Sequence, residues 1–232
     1  MHLVVKSFLF LIAFACSNHI YAQTNTNEKK FNHADTLRGS LSKARDWWDV
    51  QRYKILVEPN YINKTISGKV EILFKAIASY DTMQIDLQAP MQLNKAYLGD
   101  ESLNYFRDGN VYFIILKNHP KPGSEATLAL SFSGKVREAV RPPWDGGWIF
   151  SKDKNGNPWM SAACQGLGAS VWYPCKDHQS DEPDKGALLR ISVPDSLMAV
   201  GNGRLTAKNQ YKPGWTVYDW EVKNPKIGRA HV

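Results

Sequence analysis

From about Trp47 onward the chain alternates apolar and polar positions with a period of two, the mark of strands with one buried face. Tyr53, Ile55 and Val57 form one set, and Val70, Ile72 and Phe74 another, set against Lys69, Glu71 and Lys75. Met83, Ile85 and Leu87 alternate with Gln84 and Asp86, and Val111, Phe113 and Ile115 follow an Asp108-Gly109 turn. Leu128, Leu130 and Phe132 repeat the pattern, as do Leu189, Ile191 and Val193, and last Tyr218, Trp220 and Val222. Turn formers such as Pro59-Asn60, Ser67-Gly68, Pro122-Gly123 and Gly201-Asn202-Gly203 separate these runs, supplying fixed or permissive backbone angles. No amphipathic helix of ordinary length competes with them. The pattern predicts an all-β domain over residues 46–226, a curved antiparallel two-sheet saddle or sandwich. The segment 136–160, with Pro142, Pro143, Gly146 and Gly147, is expected to be a loop or a hairpin with a long tip.

Ahead of this domain the pattern changes twice. Lys6 followed by the apolar run from Phe8 to Ala15 and a small-residue exit at Ala22 reads as an export signal over 1–22. Its core is too short to span a bilayer. Lipidation at Cys16 is disfavoured by bulky Phe14 two residues earlier. The expected location is the periplasm or the medium. Residues 23–45 are polar and lack apolar periodicity, which predicts a flexible lead-in with order beginning near Trp47.

Composition adds limits. With 43% hydrophobic and 22% charged residues the chain is that of a folded protein. Its net charge of +7 is spread singly along alternating segments, which argues for a solvated surface and against a nucleic-acid partner. Removal of the signal leaves Cys164 and Cys175 in an oxidising compartment, either as a disulfide or as two buried thiols. No H-E-x-x-H, G-x-S-x-G, phosphate loop or C-x-x-C occurs, so no catalytic machinery or metal site is expected in this chain.

The densest chemistry lies between Cys164 and Asp184, in CQGLGASVWYPCKDHQSDEPD. Gln165 is expected at the end of a strand entering a glycine turn, where its amide oxygen can accept a hydrogen bond from a cationic amine, or be satisfied by backbone instead. Asp177, His178, Asp181, Glu182 and Asp184 lack the alternate-residue spacing of a calcium loop, which favours a turn scaffold whose carboxylates cap backbone N–H groups. Trp144 and Trp148 are candidates for a sugar-stacking platform or for core packing.

In order along the chain, Trp48-Asp49-Val50 with RYKILVEP, Ile66 to Ile72, the Met83 to Leu87 strand and the loop CQGLGASVWYPCKDHQSDEPDKG before Leu189 to Pro194 resemble the N-terminal β-saddle domain of the aminopeptidase N family of zinc metallopeptidases, which includes the leukotriene hydrolase branch. The resemblance implies an exported zinc aminopeptidase whose zinc lies in a following catalytic domain. It implies that the present domain contacts the peptide substrate and that catalytic domain. In the family one Glu or Gln of this domain grips the free amino terminus of the peptide, and by position that residue is Gln165. The leukotriene hydrolase branch has a second Gln where this chain has Ala163, so the resemblance does not carry over an epoxide-hydrolase activity. The last residues, Ile227 to Val232, are the translation of ATC GGA AGA GCA CAC GTC, part of a common sequencing adapter. Residues 227–232 are therefore expected to be read-through, and the reading frame a fragment. The alternative is a non-enzymatic β-sandwich of the cell envelope that binds glycans or protein partners.

Overall fold

Tyr53, Ile55 and Val57 are buried on one side of β1 (Trp48–Asn60), while Lys54 on the other side is exposed. The computed structural model describes residues 30–225; the export signal over 1–22 and the tail over 227–232 lie outside the described residues. β1 pairs antiparallel with β2 (Thr65–Ala76), Tyr53 opposite Ile72 and Ile55 opposite Val70. A register shift between Val50 and Arg52 puts Trp48 and Val50, an even-numbered pair, on the same face as odd-numbered Tyr53, since one extra residue in a strand reverses the side-chain phase. Both tryptophans at the start of the domain thereby enter the core, where Trp47 and Trp48 meet Phe74 edge-on at 5.9 and 5.8 Å.

The other elements are β3 (Thr82–Asp86), β4 (Gln92–Leu98), β5 (Glu101–Ser102), β6 (Asn104–Asp108), β7 (Val111–Ile115), β8 (Glu125–Lys135), β9 (Gly147–Lys152), β10 (Pro158–Ala163), β11 (Ala187–Pro194), β12 (Arg204–Lys212) and β13 (Trp215–Val222). An eight-stranded sheet has the order β12-β13-β11-β1-β2-β8-β4-β5, a three-stranded sheet β3-β7-β6, and β9 and β10 form a hairpin. The fold is all-β, as the alternation predicts. Among the described residues every strand pair is antiparallel except β1 with β11, which run parallel with Tyr53 opposite Ala187. A parallel pair needs a crossover, and here everything from β2 to β10 makes it. The core lies between the two larger sheets, with Val70, Ile72, Phe74, Leu128, Leu130 and Phe132 facing Met83, Ile85, Tyr112 and Ile114. Gly68 makes room in it: a Cβ there would lie 2.8 Å from Phe132 Cε1.

Two expectations are corrected. In β7 the inward face is Tyr112 and Ile114, paired with Ile85 and Met83. Phe113 and Ile115 point to the other side, where Phe113 stacks on Phe106 at 5.2 Å. Every residue from Val111 to Ile115 is apolar or aromatic, so alternation cannot fix the phase there. Regular structure also begins earlier than the alternation does, with α1 (His33–Gly39) and α2 (Lys43–Asp46). Arg45 is fully buried; its Nη2 donates to Asp86 Oδ1 at 2.5 Å and its Nη1 to the carbonyls of Arg38 and Ser40, both at 2.9 Å. Gln84 Nε2 donates to the Leu37 carbonyl at 2.8 Å. Polar bonds, which leave no apolar period, hold this segment.

Phe74→Ala removes a fully buried ring from between the two tryptophans, and the expected loss is about 3–5 kcal/mol of unfolding free energy. Chemical denaturation followed by tryptophan fluorescence measures it, and a change within about 1 kcal/mol would contradict this packing.

Candidate substrate-binding loop

The β9–β10 hairpin turns one face to the core: Trp148 stacks on Phe150 at 6.2 Å, and Phe150 meets Tyr61 at 6.0 Å. Ala163 ends β10, and the chain then turns sharply, the Leu167 and Gly168 N–H groups both donating to the Cys164 carbonyl at 3.1 and 2.8 Å. Gly166, at the third position of the turn, has φ 71°, a left-handed value that favours glycine. Gln165 sits at the second position, half-buried. Its side-chain amide makes no hydrogen bond to any described residue, so the backbone-satisfied alternative is not realised.

Behind the turn the chain is held tightly. Gly168 has φ 78°, and a Cβ at that position would overlap the Asp177 carboxylate. Asp177 Oδ2 accepts the Ser170 N–H at 3.1 Å at the head of a 3-10 turn over Ala169–Val171. The Asp177 N–H donates in turn to Asp86 Oδ2 at 3.1 Å. Asp86 and Cys175 exchange backbone hydrogen bonds at 2.8 and 3.1 Å, which stitches the loop to the end of β3. Tyr173 packs edge-on to Tyr53 at 5.9 Å, and the Tyr53 hydroxyl accepts the Lys176 N–H at 3.1 Å.

The carboxylate-rich turn does not converge on one point. Asp181 is buried, ion-paired with the buried Lys176, and accepts the Val50 N–H at 3.2 Å. Lys176 Nζ also donates to the Trp48 carbonyl at 2.5 Å and lies 4.6 Å over the Trp48 ring. Glu182 and Asp184 are exposed. His178 Nε2 donates to the Gly39 carbonyl at 3.3 Å, which leaves Nδ1 to accept from Ser180 Oγ at 2.7 Å. Asp177, His178 and Asp181 brace the loop in the way the turn-scaffold reading expects. Among the described residues no group of three or more His, Cys, Asp or Glu side chains is placed to hold a metal ion.

The two cysteines are separate thiols. Burial pushes Cys164 up to about 11 and raises the fully buried Cys175 as well, so both stay protonated and unreactive at neutral pH. Trp148 is buried and Trp144 is 79% exposed. With one ring in the core and the other in solvent, they form no shared platform for a sugar.

The family model for the Peptidase M1 N-terminal domain matches residues 50–227. The chain belongs to this family. Among solved structures it resembles an M1 zinc metallopeptidase from Deinococcus radiodurans, a mutant bound to a Tyr-Ser-Ala substrate, at 20% identity and a TM-score of 0.59 over 77% of this chain and 40% of that one. Native yeast LTA4 hydrolase is similar at 16% identity and a TM-score of 0.59, over 85% of this chain and 29% of that one. At such identities the likeness is one of fold, and the chain spans well under half the length of these proteins. No curated protein matches it by sequence.

In this M1 N-terminal domain the residues that sequence reasoning missed are Arg45, Asp86, Ser170 and Lys176, each with at least one partner far along the chain. Burial pushes the Asp86 carboxyl up to about 6, against the pull of Arg45 and of the Asp177 N–H. The folded value exceeds that of the unfolded chain, 3.8. Between about pH 4 and pH 6 the native state therefore holds a proton that the unfolded chain has lost, and this carboxyl's contribution to stability falls as pH rises through that window. A carbon-13 titration of the Asp86 carboxyl is expected to show a midpoint near 6. Arg45→Met should move it higher, because burial remains and the cation is gone; a midpoint below 4 in either protein would contradict desolvation as the dominant cause.

Proposed function

We propose that this chain is the substrate-side domain of an exported zinc aminopeptidase and that Gln165 holds the free amino terminus of the peptide. The observation that carries this reading is a side-chain amide with no partner of its own among the described residues, displayed on a turn that largely buried groups fix from behind. A primary amide offers an acceptor oxygen without a proton to lose, so Oε1 can take one N–H of a terminal ammonium over a wide pH range. A hydrogen bond to a charged partner is worth roughly 1.5–3 kcal/mol, and it acts on the end of the substrate that an exopeptidase must recognise. Membership in the M1 N-terminal family supports the reading, as does the fold shared with a metallopeptidase described with a tripeptide substrate.

On this reading the zinc chemistry is supplied by a catalytic domain of the parent protein, in keeping with the zinc metallopeptidases that share the fold. The role of this domain is to bind and orient the peptide. The signal-like run from Phe8 to Ala15 supports export to the periplasm or the medium. No helix among the described residues is long and apolar enough to cross a membrane.

In the intact enzyme, Gln165→Ala is expected to raise KM for free-amine peptides about tenfold or more while leaving the melting temperature within about 2 °C. Steady-state kinetics on aminoacyl reporters measures it. An unchanged KM and kcat would exclude the anchor role.

A further inference from the structure

Among the described residues Gln165 makes no side-chain hydrogen bond, so the backbone turn sets the position from which its amide projects. Three polar side chains position that turn. The Asp177 carboxylate lies where a Cβ of Gly168 would be and accepts the Ser170 N–H at 3.1 Å. Ser170 Oγ donates to the Leu167 carbonyl at 3.3 Å and accepts from Gln88 Nε2 at 3.1 Å, while the Gln88 N–H donates to the Ser170 carbonyl at 2.9 Å. Asp177 itself is located by Asp86 Oδ2, whose other oxygen is held by Arg45. The bonds thus run without a break from the lead-in at Arg45 through Asp86 and Asp177 to the residues on both sides of Gly168.

We propose that Asp177 is a positioning residue for Gln165, and that the Arg45–Asp86–Asp177 chain makes the lead-in a working part of the substrate site. This rests on the reading of Gln165 as the amine anchor. A turn-forming Asp needs only bonds to its own neighbours. Asp177 instead accepts from Ser170, seven residues earlier, and excludes any side chain at position 168. Removing the Asp177 side chain leaves the Ser170 N–H without its protein acceptor and empties the space behind Gly168, so the turn shifts and the amide is misaligned.

A double-mutant cycle in the intact enzyme tests this. Asp177→Ala should raise KM for free-amine peptides about tenfold, with kcat within about threefold. Asp177→Asn, which keeps an acceptor oxygen for Ser170, should restore most of the loss. The pair Asp177→Ala and Gln165→Ala should bind no worse than Gln165→Ala alone, because both changes remove one interaction. Additive effects, or a lowered melting temperature with KM unchanged, would overturn the proposal while leaving the anchor intact. A silent Gln165→Ala would overturn the anchor and this inference with it. If Asp177→Ala does not fold, Ser170→Ala loosens the same turn and takes its place in the cycle: a non-additive pair with Gln165→Ala supports the proposal, and an additive pair overturns it.

Discussion

Asp86 is the carboxylate on which the arrangement of this domain depends. It stands at the end of a strand in the small sheet, takes the guanidinium of Arg45 from the lead-in on one oxygen and the N–H of Asp177 from the 164–184 loop on the other. Three segments far apart in the chain meet at one residue that is 4% exposed. A buried ion pair adds little net stability over an apolar substitute, but breaking one by removing a partner costs about 3–5 kcal/mol. Its effect is therefore on geometry: it permits one arrangement of lead-in, sheet and loop and penalises the others.

The parallel pairing of β1 with β11 complements that junction. It brings the end of the 164–184 loop back beside the first strand of the domain, so that the Tyr53 hydroxyl meets Lys176 and the Val50 N–H meets Asp181. The loop is then anchored at both ends and along its middle. Among the described residues the Gln165 side chain has no hydrogen-bond partner, although the turn that carries it is held.

Fold class and the place of the candidate anchor are legible in the order of residues alone. Period-two alternation in β1, β2, β3 and β8 suffices to recognise an all-β domain, since burial of one sheet face is a local property of each strand. The run from Cys164 to Asp184 likewise places Gln165 at a strand end before a glycine turn, which local turn chemistry dictates. Short or exposed strands such as β5, β6 and β12 are not legible in this way, because few of their side chains are buried. The phase of β7 is not legible either, because apolar residues occupy both of its faces.

Which polar residues matter emerges only from the folded arrangement. Arg45 reads as one more surface charge in a polar lead-in, and Asp177 as one carboxylate among several in a turn. Only the fold places Arg45 against Asp86 and Asp177 behind Gly168. The physical reason is range: hydrophobic periodicity is written into neighbouring residues, whereas a buried hydrogen bond between positions 45 and 86, or 86 and 177, exists only once the chain has closed the loops that bring them together.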